Sequence, residues 1–287
     1  MTETELHHQR ACNWHTAANP VRSLEDARAF IDRVGFSLLY PERSLPLVPT
    51  FIGAYAGSSD GLPDARHAFA DPRTPQAVEL MVRLLRERGA YEMNLFAGAD
   101  LIVSSTLFPF FYALVGDRSP KAAPKVRVQG ATVSPLATTV FDAIQQQGPL
   151  SKGRLRELVG RELSNAALDR ALSELWAILK ITRVDYRPDE GAFWDVLYRW
   201  SPQVVKEGIN TSAPEAISAI LSKFLESAIA ATQDEIEQFF SYLTSRSKVR
   251  EAIHALLAAR ELSYMTVGAK TLMRLTPAPE PRRNNHG

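Results

Sequence analysis

The sequence predicts a mainly helical α+β protein with small β-hairpins, organised as repeated modules. Three observations carry this. Apolar residues recur at helical spacing in segments opened by capping residues and closed by Gly or Pro. Short runs alternate at period two. The same order of three helices and a hairpin returns downstream, and the 287 residues suffice for two average domains or three small ones.

The central segment is the most legible. Ser134-Pro135 opens a helix whose apolar face is Leu136, Val140, Phe141 and Ile144, and Gly148-Pro149 stops it. Ser151 starts a second helix with Leu155, Leu158 and Val159 inward. Ser164 caps a third, with Leu168, Leu172, Leu175, Trp176 and Leu179. Ile181 to Arg187 alternates, Pro188-Asp189-Glu190-Gly191 turns, and Ala192 to Tyr198 returns as the second strand. Three short helices followed by a hairpin is the order of a winged helix-turn-helix module.

Downstream, Pro214 to Ala230 is a helix with Ile217, Ile220, Leu221, Phe224 and Leu225 apolar. Thr232-Gln233-Asp234-Glu235 is a capping box for the next. Ser245 caps a third helix with Val249, Ile253, Leu256 and Leu257 inward, and Glu261 to Leu275 forms a hairpin around Gly268-Ala269. Nearer the start, Ser23 caps a helix to Arg33, and Phe36 to Gly57 is apolar but broken by Pro41, Pro46 and Pro49. A helix over Pro75 to Arg88 and paired strands at Tyr91 to Phe96 and Asp100 to Ser104 complete a third, decorated module. The expected layout is tandem winged helix-turn-helix modules: a flexible leader at 1–20, modules at 21–118, 134–209 and 210–276, a linker at 119–133 and a disordered tail at 277–287.

Composition narrows the function. Apolar residues at 45% and charged residues at 23% exclude wholesale disorder. A net charge of +1 excludes binding of polyanions by sheer basicity, so local patches carry any such role. The ledger is −3 over 1–120 (11 basic, 14 acidic), +3 over 121–212 (13 and 10) and +1 over 213–287 (9 and 8). One cysteine, Cys12, permits no internal disulfide, and the polar, acidic N-terminus is that of a cytoplasmic protein. There is no Gly-rich phosphate loop with Lys, and Gly57-Ser58-Ser59-Asp60-Gly61 lacks the setting of a nucleophile elbow. Cys12-Asn13-Trp14-His15 is a metal half-site on a floppy leader, so neither metal nor cofactor is expected.

A winged helix typically lays its third helix in the DNA major groove and its hairpin along the backbone, where Lys and Arg meet phosphates. Arg246, Lys248 and Arg250 stand at the start of the last module's third helix and Lys270 at its wing tip. In the central module the basic candidates are Lys152, Arg154, Arg156, Arg161, Arg183 and Arg187. There Asp169 and Glu174 share the outward face with Arg170, the pattern of a helix turned away from DNA. The expected partner is double-stranded DNA. A solvated basic helix end and a protein-interaction module are the competing readings of the same cluster. Trp176, Trp194 and Trp200 read as core, with Trp194 on a wing strand the least certain of a buried place.

On this layout the chain resembles the AlkZ-like (YcaQ) family of winged-helix DNA glycosylases. Two stretches add to the resemblance: Ser23 to Arg28 leading to Ser37-Leu38-Leu39-Tyr40-Pro41-Glu42, and Asn94 to Val103. The resemblance implies DNA repair by hydrolysis of the N-glycosidic bond of alkylated bases, with the family's Gln-x-Gln or Gln-x-Asp side chains placing the attacking water. Here Tyr40 stands at the first Gln and Glu42 at the last residue, so this is a divergent member without that motif, and Ile102 stands where the family's hairpin often has His. Tyr40 and Glu42 are the candidate catalytic pair. The alternative is a non-catalytic winged-helix transcription regulator using the same basic helix end.

Overall fold

A computed structural model describes residues 1–96, 99–128 and 131–277. Helix α1 (Glu3–Asn13) precedes a first unit of α2 (Leu24–Val34), β1 (Phe36–Leu38), α3 (Phe51–Ala56), α4 (Thr74–Arg86), β2 (Ala90–Phe96) and β3 (Ala99–Ser104). After α5 (Phe108–Val115) come an antiparallel pair, β4 (Arg127–Val128) and β5 (Ala131–Thr132), and a second unit. That unit holds α6 (Pro135–Gln147), β6 (Leu150–Ser151), α7 (Lys152–Val159), α8 (Asn165–Ala177), β7 (Ile181–Arg187) and β8 (Gly191–Val196). Helices α9 (Leu197–Trp200) and α10 (Pro202–Asn210) lead into α11 (Ala213–Ala228), α12 (Gln233–Phe240), α13 (Arg246–Ala258), β9 (Leu262–Val267) and β10 (Lys270–Leu275). The result is a mainly helical α+β fold with small antiparallel sheets.

Each unit repeats one connectivity. The strand after the first helix pairs antiparallel with the last strand of the hairpin, giving sheet orders β1-β3-β2 and β6-β8-β7. In the third unit a single residue, Ala231, makes the same pairing with Met273 of β10. Capping sets the helix starts: Ser23, Ser134, Ser164, Ser212 and Thr232 accept from backbone N–H groups three residues on, each such cap contributing ~1 kcal/mol. Ser245, expected to cap α13, instead turns its hydroxyl to Ser247 Oγ at 3.1 Å. Gly35 ends α2 at φ 79°, and a Cβ there would collide with Lys223 of α11.

The cores do not follow chain order. One face of the first unit's sheet merges with α5, α11, α12 and α13 into one apolar cluster. Phe36 of β1 stacks on Phe239 of α12 at 5.0 Å, and Phe239 on Phe224 of α11 at 5.0 Å. The second unit keeps its own core around Phe141, Leu172 and Trp176, with Trp176 edge-on to Trp194 at 5.0 Å. Trp194 is buried, as a core residue should be.

Two expectations need correcting. The leader is not floppy: Thr2 and Glu5 form a capping box, Leu6 is buried, and α1 closes the end of α11. Arg10 donates to the carbonyls of Ala228 (2.8 Å) and Ala230 (2.5 Å), Asn13 Nδ2 to Ser227 (2.8 Å) and Trp14 Nε1 to Ser227 (2.9 Å). These donors satisfy carbonyls that a helix end leaves orphaned. Within 119–133, the buried Lys180 ammonium donates to the carbonyls of Ser119 and Ala122, both at 2.6 Å, so this stretch is pinned to the second unit. The tail beyond Pro277 lies outside the described residues. Among the described residues no helix is long and apolar enough to cross a membrane.

Candidate active site and nucleic-acid interface

The loop after β1 carries Tyr40, Pro41, Glu42 and Arg43 to one wall of a cleft of about 610 Å³. Asp64, Ala65 and Arg66, from the segment between α3 and α4, form another, and Ala99 and Asp100 at the start of β3 form the floor. Asp64 shapes its own segment by accepting the backbone N–H groups of Arg66 (3.0 Å) and His67 (2.9 Å). The β1–β3 register, Leu38 opposite Leu101, continues into Leu39 N–H donating to the Asp100 carbonyl at 2.9 Å. That clamp brings the motif-equivalent loop against the hairpin.

Tyr40 is half-buried. Burial pushes its phenol above the ordinary range, the Thr74 hydroxyl opposes this, and the carboxylates of Asp100, Asp71 and Glu92 reinforce it. Glu42 is exposed, and its Oε1 accepts from the backbone N–H (3.2 Å) and hydroxyl (3.3 Å) of Ser44. Asp100 accepts from Asn94 Nδ2 at 3.3 Å; burial raises its proton affinity and Arg183 opposes the rise. Ile102 is fully buried in the first unit's second core, so this strand position faces packing and not the cleft.

Behind the floor lies a buried pair that sequence reasoning missed. Glu92 of β2 is fully buried, and burial pushes its carboxyl up to about 7 against the pull of Arg183. Its Oε1 accepts from Arg183 Nη1 at 2.9 Å, while Oε2 has no partner among the described residues. Arg183 lies over Trp176 (4.8 Å) and Trp194 (5.4 Å), and Trp176 Nε1 donates to the Glu92 carbonyl at 3.0 Å. An acid flanked by Tyr91 and Met93 in a strand was the available signal.

The basic candidates divide by partner. Arg183 is not a free phosphate ligand, because it neutralises Glu92 under two indoles; this corrects the expectation placed on it. Lys152 pairs with Asp169 (2.5 Å), Arg154 with Glu157, and Arg187 with Glu190 (3.1 Å) while lying over Phe193. Lys270 lies 3.8 Å from Glu3. Arg250 donates twice to Glu237 of α12 (2.6 and 3.1 Å) and Arg246 stands 3.5 Å from it. Hydrogen bonds from Arg250 and Gln233 hold the Glu237 carboxyl down to about 2. Lys248 is exposed and, among the described residues, makes no ion pair. Helix α12 links the two regions, since Gln238 Nε2, next to Glu237, donates to the Ser44 carbonyl at 2.7 Å.

A family model for DNA glycosylases of the AlkZ-like type matches residues 64–286. The chain belongs to the AlkZ-like DNA glycosylase family. Its fold is similar to that of the Streptomyces sahachiroi DNA glycosylase AlkZ, with a TM-score of 0.59 at 13% identity over 96% of this chain and 70% of that one. No curated protein matches. The AlkZ-like match takes in Asp64, Arg66 and Asp100 of the cleft and begins after Tyr40 and Glu42. No group of His, Cys, Asp or Glu among the described residues is arranged to hold a metal ion.

Proposed function

We propose that this AlkZ-like protein binds double-stranded DNA and hydrolyses the N-glycosidic bond of alkylated bases. The observation that carries the reading is the single cleft onto which Tyr40, Glu42 and Asp100 open, tied through Gln238 to the helix that anchors Arg246 and Arg250. Hydrolysis at C1′ requires an oriented water and stabilisation of a cationic sugar, both of which carboxylates supply in a partly desolvated cleft. An alkylated, positively charged base leaves as a neutral molecule, so no general acid is needed. Lys248, Arg246, Arg250 and Lys270 would meet phosphates, with Lys152, Arg154 and Arg187 as secondary contacts. Three units of helix–strand–helix–helix–hairpin order support the tandem winged-helix reading.

The test is incubation of a duplex carrying one 7-methylguanine with the protein, followed by alkaline cleavage at abasic sites. Strand scission is expected. Intact DNA that is nevertheless bound with steep salt dependence would replace this reading with the non-catalytic regulator.

A further inference from the structure

We propose that Asp100, not Glu42, is the catalytic carboxylate that holds the attacking water; this rests on the glycosylase reading above. Four observations converge on it. Asp100 forms the floor of the cleft, whereas Glu42 is an exposed rim residue with one oxygen already accepting twice from Ser44. The pairing of Leu39 N–H with the Asp100 carbonyl fixes Asp100 beside Tyr40 on a sheet rather than on a loop. Asn94 Nδ2 orients Oδ1 at 3.3 Å, and no donor among the described residues meets the other oxygen, leaving an acceptor for water. The fully buried Glu92 behind it has an oxygen with no partner among the described residues and shares Arg183 with it, so Asp100 sits in a field set by one cation, Arg183, and one other acid, Glu92. Partial desolvation makes such a carboxylate a stronger base than the solvated one on the rim.

The step balances. The C1′–N bond breaks with its electron pair going to the cationic alkylated base, which departs neutral. The water oxygen bonds to C1′, and the water proton passes to Asp100, which later returns it to solvent. The cleft, at about 610 Å³, is within the range that accepts a small ligand.

The experiment compares wild type, Asp100→Asn and Glu42→Gln on the 7-methylguanine duplex under single-turnover conditions. Binding to a duplex carrying a tetrahydrofuran abasic analogue and thermal unfolding are measured alongside. Asp100→Asn is expected to lose about 100-fold or more in rate, to keep affinity, to melt no lower than wild type, and to lose the acidic limb of the pH–rate profile. Glu42→Gln, at the rim of the same cleft, is expected to lose less rate than Asp100→Asn. An Asp100→Asn protein that is folded and as fast as wild type overturns the assignment while leaving the glycosylase reading intact. Loss of rate in Glu42→Gln alone moves the role to Glu42. Absence of base release by wild type overturns both.

Discussion

Arg183 Nη1 donates to Glu92 Oε1 at 2.9 Å, joining the hairpin of the second unit to the sheet of the first. A neighbouring pair, Arg86 to Asp185 at 2.5 Å, makes a second tie between the same units at the surface. Glu92 is fully buried and the partly exposed Arg183 lies over the two tryptophans in the wall behind the cleft.

Breaking a buried pair from one side leaves an uncompensated charge. Glu92→Ala is therefore expected to lower unfolding free energy by about 3 kcal/mol, read as a shift in the urea midpoint. Arg86→Ala, at an exposed pair, should shift it by less than about 1 kcal/mol. Equal shifts would show that the buried pair has no special structural weight.

Stability should fall as pH rises between about 4.5 and about 7. Folded Glu92 binds its proton up to about 7 whereas the unfolded side chain releases it near 4.5, so the folded state carries more protons in that window. Asp100, also raised by burial, acts in the same direction. Glu237 works in a separate window: held down to about 2, it stabilises above 4.5 and loses that contribution as pH falls toward 2. Melting temperatures at pH 5 and pH 7.5 should differ in wild type, and the difference should shrink in Glu92→Gln.

Glu237 also restrains the cations proposed to meet DNA. Glu237→Gln frees Arg246 and Arg250, and the slope of log K against log salt should steepen by about one, in fluorescence anisotropy with a labelled duplex. Lys248→Ala should flatten it by about the same amount. Slopes insensitive to both changes would place the phosphate contacts elsewhere.

Arg10 closes the α11 terminus through two carbonyls while itself buried. Arg10→Ala is expected to cost about 2 kcal/mol, since charge-assisted hydrogen bonds contribute more than neutral ones. Differential scanning calorimetry would detect it, and an unchanged transition would mean that Leu6, Asn13 and Trp14 hold α1 without help from Arg10.

Local structure was legible wherever capping and periodicity agreed. Ser134-Pro135, Thr232 to Glu235 and the alternating run from Ile181 to Arg187 each became the expected element. Between Phe36 and Gly57 the prolines masked a three-residue strand and the six-residue α3, both too short to show a period. The leader misled because its mean polarity is high, and the partners of Arg10 and Trp14 lie more than two hundred residues away. The cleft was half legible. Tyr40 and Glu42 were readable through the resemblance, whereas Asp100 and the Glu92–Arg183 pair depend on strand register and on contacts between units.

Because Phe36 stacks on Phe239 and Phe239 on Phe224, the opening third of the polypeptide shares its interior with the closing third. During synthesis the ribosome delivers these aromatics at widely separated times. Until the closing third is made, one apolar side of the nascent first sheet has no partner to cover it.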